Sequence, residues 1–392
     1  MTSWGYPTTE EKGNPFVKEM AEAIANRGVR VVMIVVTFHG LRSIFSRRKT
    51  KWAKSELITL EEVRIYNFFP SFFRLKQLQR RLALWQMNHK LNSLTTKFGK
   101  SIFFQFHYIL HASCWLFQDF LVKNNIPYTL FEHSPGSAFK GGVEKDYGGF
   151  RNFEDLKLFV RKASLRLARI KKYELKLTEL YGTKFYSLPS FISRKYHGLA
   201  DHLAEKSSTF NDEVFTYVSV GSLIDRKGHD LLINAFSEAF KKEQNIRLII
   251  VGDGPKKKSL ENQIQGLSLQ FNVILTGEVT KNEVFRIIYD ADVMVVASAW
   301  ETFGNTVIEG MFMGKPVLST KCDGPETILT KKTGLLCEQT IQDIAQGLKY
   351  MYHNIHLYDP NYISQYCLDN YSEDAVMDKL SGFYKNHLNY AF

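Results

Sequence analysis

From about residue 214 onward, short β-branched apolar runs alternate with helical patterns, and this alternation constrains the fold more than any other feature of the chain. The runs are FTYVSV (Phe215 to Val220), IRLIIV (Ile246 to Val251), VILT (Val273 to Thr276), VMVVAS (Val293 to Ser298) and PVLST (Pro316 to Thr320), each the length of a buried strand. Between them, HDLLINAFSEAF puts Leu232, Phe236 and Phe240 on one helical face, and Thr280 with Glu283 forms a capping box opening a helix through Tyr289. Such a succession builds βα units around a parallel sheet. Ligands in open sheets of this kind bind beyond the carboxyl ends of the strands, so chemistry is expected in the loops GSLIDRKG, GDGP, GEVT, AWETFGN and KCDGPE.

The N-terminal half shows a similar alternation. Asn14 and Pro15 read as an N-cap and first helical residue, Phe16, Met20, Ala23 and Ile24 share a face, and Gly28 ends that helix before a strand at Val29. Further strands are expected at Ile102 to Phe106 and Pro127 to Phe131, with a helix between them and another helical stretch from roughly Phe153 to Tyr181. A chain of 392 residues is expected to form two domains. The break is placed near residues 190 to 213: a first domain over 1–195, joined by a C-terminal helix at about 372–392, and a second over 196–371.

Composition excludes several classes. Cys114, Cys322, Cys337 and Cys367 are scattered with no CxxC pair, which suggests neither a disulfide framework nor a thiolate metal site. No charged n-region, apolar h-region and cleavage site occur in succession, and the most apolar run, Val29 to Phe38, is interrupted by Arg30 and is about half of the ~20 residues a membrane span needs. A cytoplasmic location is expected. The net charge of +11 has one source: residues 41–100 hold 14 Lys and Arg against 3 Asp and Glu, and the remainder is neutral. There SFFRLKQLQRRLALWQ spaces Leu75, Leu78, Leu82 and Trp85 as on a helix with Arg74, Arg80 and Arg81, a pattern suited either to an anionic bilayer surface or to ordinary packing on the N-terminal sheet. No nucleic-acid module accompanies the charge, and no nucleic-acid partner is expected.

The segment AWETFGNTVIEGMFMGKPV joins a buried run to a helix expected from Asn305 to Gly314. Gly304 lets backbone approach a ligand, and the free amides and dipole of that helix start suit a diphosphate. Glu301 before the helix and Glu309 one turn inside it can face one crevice, where carboxylates accept hydrogen bonds from vicinal hydroxyls. Taken alone, the pair reads as a solvated loop carboxylate and a helix-surface residue.

Their surroundings change that reading. GSLIDRKGHDLL, VGDGP, TGEV, YDADVMVVASAWETFGNTVIEGMFMGKPVLST, CDGPE and TGLL follow one another over about residues 214–338, and in this order the chain resembles glycosyltransferase family 4, of GT-B fold and retaining stereochemistry. The resemblance implies an α/β architecture of two Rossmann-like domains with parallel sheets facing a central cleft, and a nucleotide-sugar donor as substrate with no cofactor. It implies that Glu301 contacts donor-sugar hydroxyls, that Glu309 holds the ribose, and that Phe303, Gly304 and Asn305 give backbone amides to phosphate and sugar. Lys227 corresponds to the cation that stabilises the departing diphosphate. Many members carry an Arg directly after the first glycine of that loop; here Ser222 follows Gly221, and Arg226 is the candidate replacement. In the N-terminal half, SWGYPTTEEKGNPFVKEMAEAIANRGVRV resembles the family's glycine loop and first helix, with Gly13 facing the donor phosphates. IPYTLFEHSP resembles the segment whose histidine reaches the donor sugar, here His133, and FFQFHYILHAS puts His107 at a second strand end.

One departure is that family members begin with a buried strand ahead of the SWGYP-type loop, where this chain has Met1 and Thr2; either a strand precedes them or the sheet edge is built differently, and an upstream coding start is the expectation. The triplet Asp290-Ala291-Asp292 ends a helix and enters a buried strand, which makes it structural rather than a metal-binding DxD, and no metal is expected. The expected activity is transfer of a sugar to a saccharide acceptor, lipid-linked given the basic stretch, in cell-surface polysaccharide or glycolipid synthesis. The competing readings are a sugar-nucleotide epimerase and a non-catalytic saccharide- or lipid-surface-binding protein of the same fold. A dehydrogenase is disfavoured because no GxGxxG follows any strand.

Overall fold

The computed structural model describes residues 15–40, 56–67, 76–98, 103–108, 114–133, 150–199, 202–203 and 214–390. The chain divides into two units, Met1–Leu188 with Met377–Phe392, and Pro189–Val376. These limits differ from the boundaries expected from sequence because Pro189 and the residues after it belong with the second unit. The Ile192 amide donates to the Tyr371 carbonyl at 2.8 Å, and the Glu373 amide donates back to the Ile192 carbonyl at 3.1 Å.

In the first unit the strands are β1 (Val32–Gly40), β2 (Thr59–Asn67), β3 (Phe104–His107), β4 (Tyr128–Glu132), β5 (Leu165–Ala168) and β6 (Tyr186–Ser187). β1 pairs with β2, and β3 to β6 form a second sheet in sequence order, all parallel. The opening helix runs Pro15–Ala25 and buries Phe16, Met20, Ala23 and Ile24 as the spacing predicts, but its strand starts at Val32 rather than Val29. An apolar cavity of about 320 Å³ lies within this unit, lined among others by Val32, Ile34, Phe104 and Phe106.

The stretch read as one helix from Phe153 to Tyr181 is instead Phe153–Lys162, strand β5, and Lys171–Tyr181. Its middle four residues, LRLA, alternate too briefly for periodicity to distinguish them from helix, yet Leu165, Leu167 and Ala168 are fully buried between neighbouring strands.

The second unit contains β7 (Phe215–Val220), β8 (Ile246–Val251), β9 (Val273–Gly277), β10 (Val293–Val296), β11 (Val317–Thr320) and β12 (Gly334–Cys337) in a parallel sheet ordered β12-β11-β10-β7-β8-β9. The first five are the apolar runs of the sequence; β12 overlaps TGLL, and its four residues GLLC carry too weak a pattern to be read alone. All four side chains of β10 are buried, each removing apolar surface worth at most about 2–3 kcal/mol. The Lys281–Asp290 helix begins at the expected capping box: Glu283 accepts from the Thr280 amide at 2.8 Å, and Thr280 Oγ1 accepts from the Glu283 amide at 3.3 Å. Asp292 is occupied structurally, accepting from the Thr216 amide at 2.7 Å.

The strand order positions the site. From β7 the chain moves outward through β8 and β9, then returns to lay β10 on the other side of β7. The loops after β7 and β10 therefore diverge from adjacent strands, which opens a crevice at the carboxyl edge of the sheet.

Candidate active site

The loop after β7 runs through Gly221 and Ser222 into a short 3-10 turn, Asp225–Lys227, ahead of the His229–Phe240 helix. Gly221 has a steric reason: a Cβ there would lie 3.2 Å from Lys227 Cδ and Cε, so the lysine stem crosses bare backbone. The loop is tied to the one after β10 through the Ala299 amide, which donates to the Arg226 carbonyl at 2.8 Å.

Glu301 sits at this junction, 7% exposed. Lys227 Nζ donates to its Oε1 at 2.6 Å, the Ser298 hydroxyl donates to the same oxygen at 2.8 Å, and Arg226 Nη1 lies 3.3 Å from Oε2. Arg226 also donates to the Trp300 carbonyl at 3.1 Å and lies over the Trp300 ring at 4.8 Å, which fixes its plane. Burial works against the ionised carboxylate, but Lys227, then Arg226 and Ser298, outweigh it and hold the Glu301 pKa below the usual carboxylate range. The Glu301 backbone is pinned as well: its amide donates to the Cys322 carbonyl at 2.7 Å and its carbonyl accepts from Gly324 at 3.1 Å. Just behind Lys227, the His229 imidazole is kept neutral, its pKa pushed down to about 4 by burial and then by the lysine.

Three residues further on, Gly304 adopts φ 98°, a left-handed conformation that side chains disfavour, and starts the Asn305–Phe312 helix with no side-chain cap. Its first amides are thus available to an anion. Phe303 contributes backbone here, since its ring is buried edge-on against Tyr371 at 5.8 Å, whereas Asn305 is exposed. Glu309, one turn in and buried, meets Lys281 Nζ at 2.5 Å.

The structure thus gathers Lys227, Arg226, Glu301, Gly221, Ser222, Phe303, Gly304, Asn305 and Glu309 on two neighbouring loops and one helix. Ser298 and Lys281 join them without a clear signal in the sequence. Ser298 is the last residue of the VMVVAS run and is marked only by lying at a strand end; Lys281 follows a capping residue and looks like an ordinary first-turn lysine. Gly13 lies outside the described residues.

In the first unit His107, His133 and Arg169 form a row across the ends of β3, β4 and β5, all buried. His107 Nδ1 lies 2.7 Å from His133 Nε2, and Arg169 Nη2 lies 2.6 Å from His133 Nδ1. A guanidinium can only donate, so His133 Nδ1 accepts and its Nε2 carries the proton that His107 Nδ1 receives. The other ring nitrogen, His107 Nε2, lies 2.9 Å from Gln105 Nε2. Burial, then Arg169, pushes the His107 pKa down to about 3 and, with His107 added, holds His133 well below its ordinary value. Burial also lowers Arg169 to about 9, and its guanidinium stacks 3.5 Å from the Phe16 ring centroid and 4.5 Å from that of Phe131.

Residues 202–366 match the family described as "Glycosyl transferases group 1", and the second unit is a domain of that family, the family 4 type that its motifs resemble. An uncharacterized glycosyltransferase of Methanocaldococcus jannaschii is 30% identical over 219 residues, 54% of this chain and 52% of that protein. A phosphatidylinositol N-acetylglucosaminyltransferase component from Homo sapiens is 30% identical over 134 residues, 34% and 28% of the two chains. The chain thus spans about half the length of the first of these relatives and less of the second. Among solved structures, a sucrose-phosphate synthase from Thermosynechococcus elongatus superposes with a TM-score of 0.71 at 18% identity, covering 96% of this chain and 93% of that one. The fold is GT-B: two Rossmann-like domains built on parallel sheets.

Proposed function

We propose that this protein is a retaining glycosyltransferase that moves a sugar from a nucleotide-diphosphate donor to a hydroxyl of a saccharide acceptor. The observation that carries the reading is the Lys227–Glu301–Arg226 cluster at the sheet switch point, beside an uncapped helix start. The diphosphate seats on the amides from Gly304 onward, with Glu309 on the ribose and Glu301 on the sugar hydroxyls. As the anomeric carbon–oxygen bond breaks, the departing diphosphate takes the electron pair and Lys227 with Arg226 offsets the charge that develops on it. The acceptor hydroxyl attacks from the same face and its proton passes to the diphosphate oxygen. With two side-chain cations at the leaving group, the reaction needs no metal or other cofactor, and transfer is expected to persist in a chelator.

The acceptor in this reading is lipid-linked and reached at the cytoplasmic face of a membrane. The Lys76–Phe98 helix uses Ala83, Met87, Leu91 and Leu94 for packing, and leaves Leu78 and Trp85, with exposed Arg81, outside the fold. That is apolar and basic surface of the kind a bilayer headgroup region takes. No helix among the described residues is long and apolar enough to cross a membrane. A relative named for phosphatidylinositol glycosylation supports the same class of acceptor. Absence of sedimentation with anionic liposomes at low salt would remove this part of the proposal.

The decisive experiment replaces Lys227 and Glu301 separately by Ala. Transfer is expected to fall about 10²–10³-fold, in line with removal of one transition-state electrostatic partner, while circular dichroism and melting remain those of a folded protein. Unchanged transfer in both variants would refute the site. Isomerisation of donor without acceptor would point to an epimerase, and nucleotide-sugar binding without any turnover to a binding protein.

A further inference from the structure

Glu309 is 8% exposed and lies on the second turn of a helix whose remaining face is core: Val307, Ile308, Met311 and Phe312 are all buried. A carboxylate in that position needs a partner. Among the described residues it has one in Lys281, at 2.5 Å from Oε1. Lys281 comes from another helix, 28 positions earlier, and is held rather than merely nearby. The Thr280–Glu283 capping box fixes the backbone beneath it. Its ammonium lies 5.1 Å above the Phe285 ring, and Phe285 packs edge-on against Phe312 at 5.9 Å, next to the turn that carries Glu309. The lysine therefore joins the helix after β9 to the helix after β10, with its side chain 41% exposed against 10% for the carboxylate.

We propose that Lys281 is the positioning residue for Glu309 and, through it, sets the preference of the site for ribose over deoxyribose. The inference rests on the donor-site reading above. Lys281 occupies Oε1 and fixes the carboxylate rotamer, so that Oε2 accepts from the 2′-hydroxyl of a ribose whose diphosphate seats at the helix start beyond Gly304. Without the lysine, a nearly buried carboxylate loses its charge partner, rotates toward solvent, and no longer presents an acceptor at a fixed place. Affinity for the ribonucleotide is then lost, while a 2′-deoxy nucleotide, which never used that acceptor, loses little.

The test is calorimetric. Uridine, guanosine and adenosine diphosphates are titrated into the wild-type protein, and the tightest binder is compared with its 2′-deoxy counterpart in wild type, Lys281→Met, Lys281→Arg and Glu309→Gln. Wild type is expected to prefer the ribonucleotide by about tenfold, one hydrogen bond to a charged group. Lys281→Met and Glu309→Gln should each bring the ratio to about one, and Lys281→Arg should restore most of it. A purely structural lysine would lower both affinities together and leave the ratio unchanged, which overturns the proposal. If Glu309→Gln collapses the ratio and Lys281→Met does not, the role of Lys281 is wrong and the donor site stands. If Glu309→Gln leaves the ratio intact, or no diphosphate binds wild type, the assignment of Glu309 to ribose fails, and the inference with it.

Discussion

At the carboxyl end of β10 the second unit gathers charge: one carboxylate meets an ammonium and a guanidinium, and its pKa is held down so that it stays ionised. At the corresponding ends of β3 and β4 the first unit places two histidines against a buried arginine, and there burial keeps both imidazoles neutral. The same edge of a parallel sheet thus carries opposite electrostatics. The second unit sets two cations on one carboxylate, whereas in the first the Arg169 guanidinium fixes the hydrogen-bonding sense of His133. A site that must balance a diphosphate gains from the former; one that orients a neutral imidazole, as the resemblance implies for His133, needs the latter.

Arg169→Ala should break this contrast most strongly. It removes the donor to His133 Nδ1 and the cation over Phe16 and Phe131, and about 3 kcal/mol of stability is expected to be lost from the first unit. Hydrogen exchange in peptides spanning 104–132 should accelerate, with those spanning 293–320 unaffected; equal acceleration in both would mean that the arginine does not act locally. Acid should separate the units next. Because the folded-state pKa of His107 lies near 3 and the unfolded value near 6.5, the unfolded chain binds more protons throughout that window, so stability is complete above about pH 6.5 and falls as pH is lowered toward 3. At pH 5 the cost from His107 alone is about 2 kcal/mol, visible as exchange in 104–132 rising ahead of 293–320. The Glu301 contribution runs in the same direction with pH: its depressed pKa supplies stability above the usual carboxylate range that is lost only at stronger acidity. The smallest effect is expected from Ser298→Ala, which deletes one neutral donor to Glu301 and should cost about 1 kcal/mol, roughly a fivefold drop in transfer, with the fold unchanged. A drop as large as that of Lys227→Ala would place Ser298 on the substrate itself.

The second unit is more legible in the sequence than the first for a physical reason. Its strands are continuous apolar runs separated by long crossover helices, so Phe215–Val220 and Ile246–Val251 stand where the runs stand. β5 in the first unit is four residues between two helices and merges with them in any periodicity. Arg169, at its end, cannot be singled out while that strand is unread, although His107 and His133 can. The same limit applies to the site: Glu301, Glu309 and Lys227 lie in recognisable motifs, but the Lys281–Glu309 pair depends on how the helices after β9 and β10 pack. On residues 76–98 the leucine spacing marks one face, but it does not reveal that Ala83, Met87, Leu91 and Leu94 form the packing stripe beside it.

The helix Glu373–Leu388 starts in the second unit and ends in the first, where Tyr384, fully buried, donates to the Gln105 side chain and packs edge-on against Phe103 at 5.0 Å. On a translating ribosome these residues emerge only after the whole of the second unit. The second unit, contiguous from Pro189 to Val376, can fold as soon as it is synthesised, while the first must wait, with the ring site of Tyr384 open, until the whole of its neighbour has been made. Premature termination anywhere near residue 376 would therefore harm the unit that was translated first.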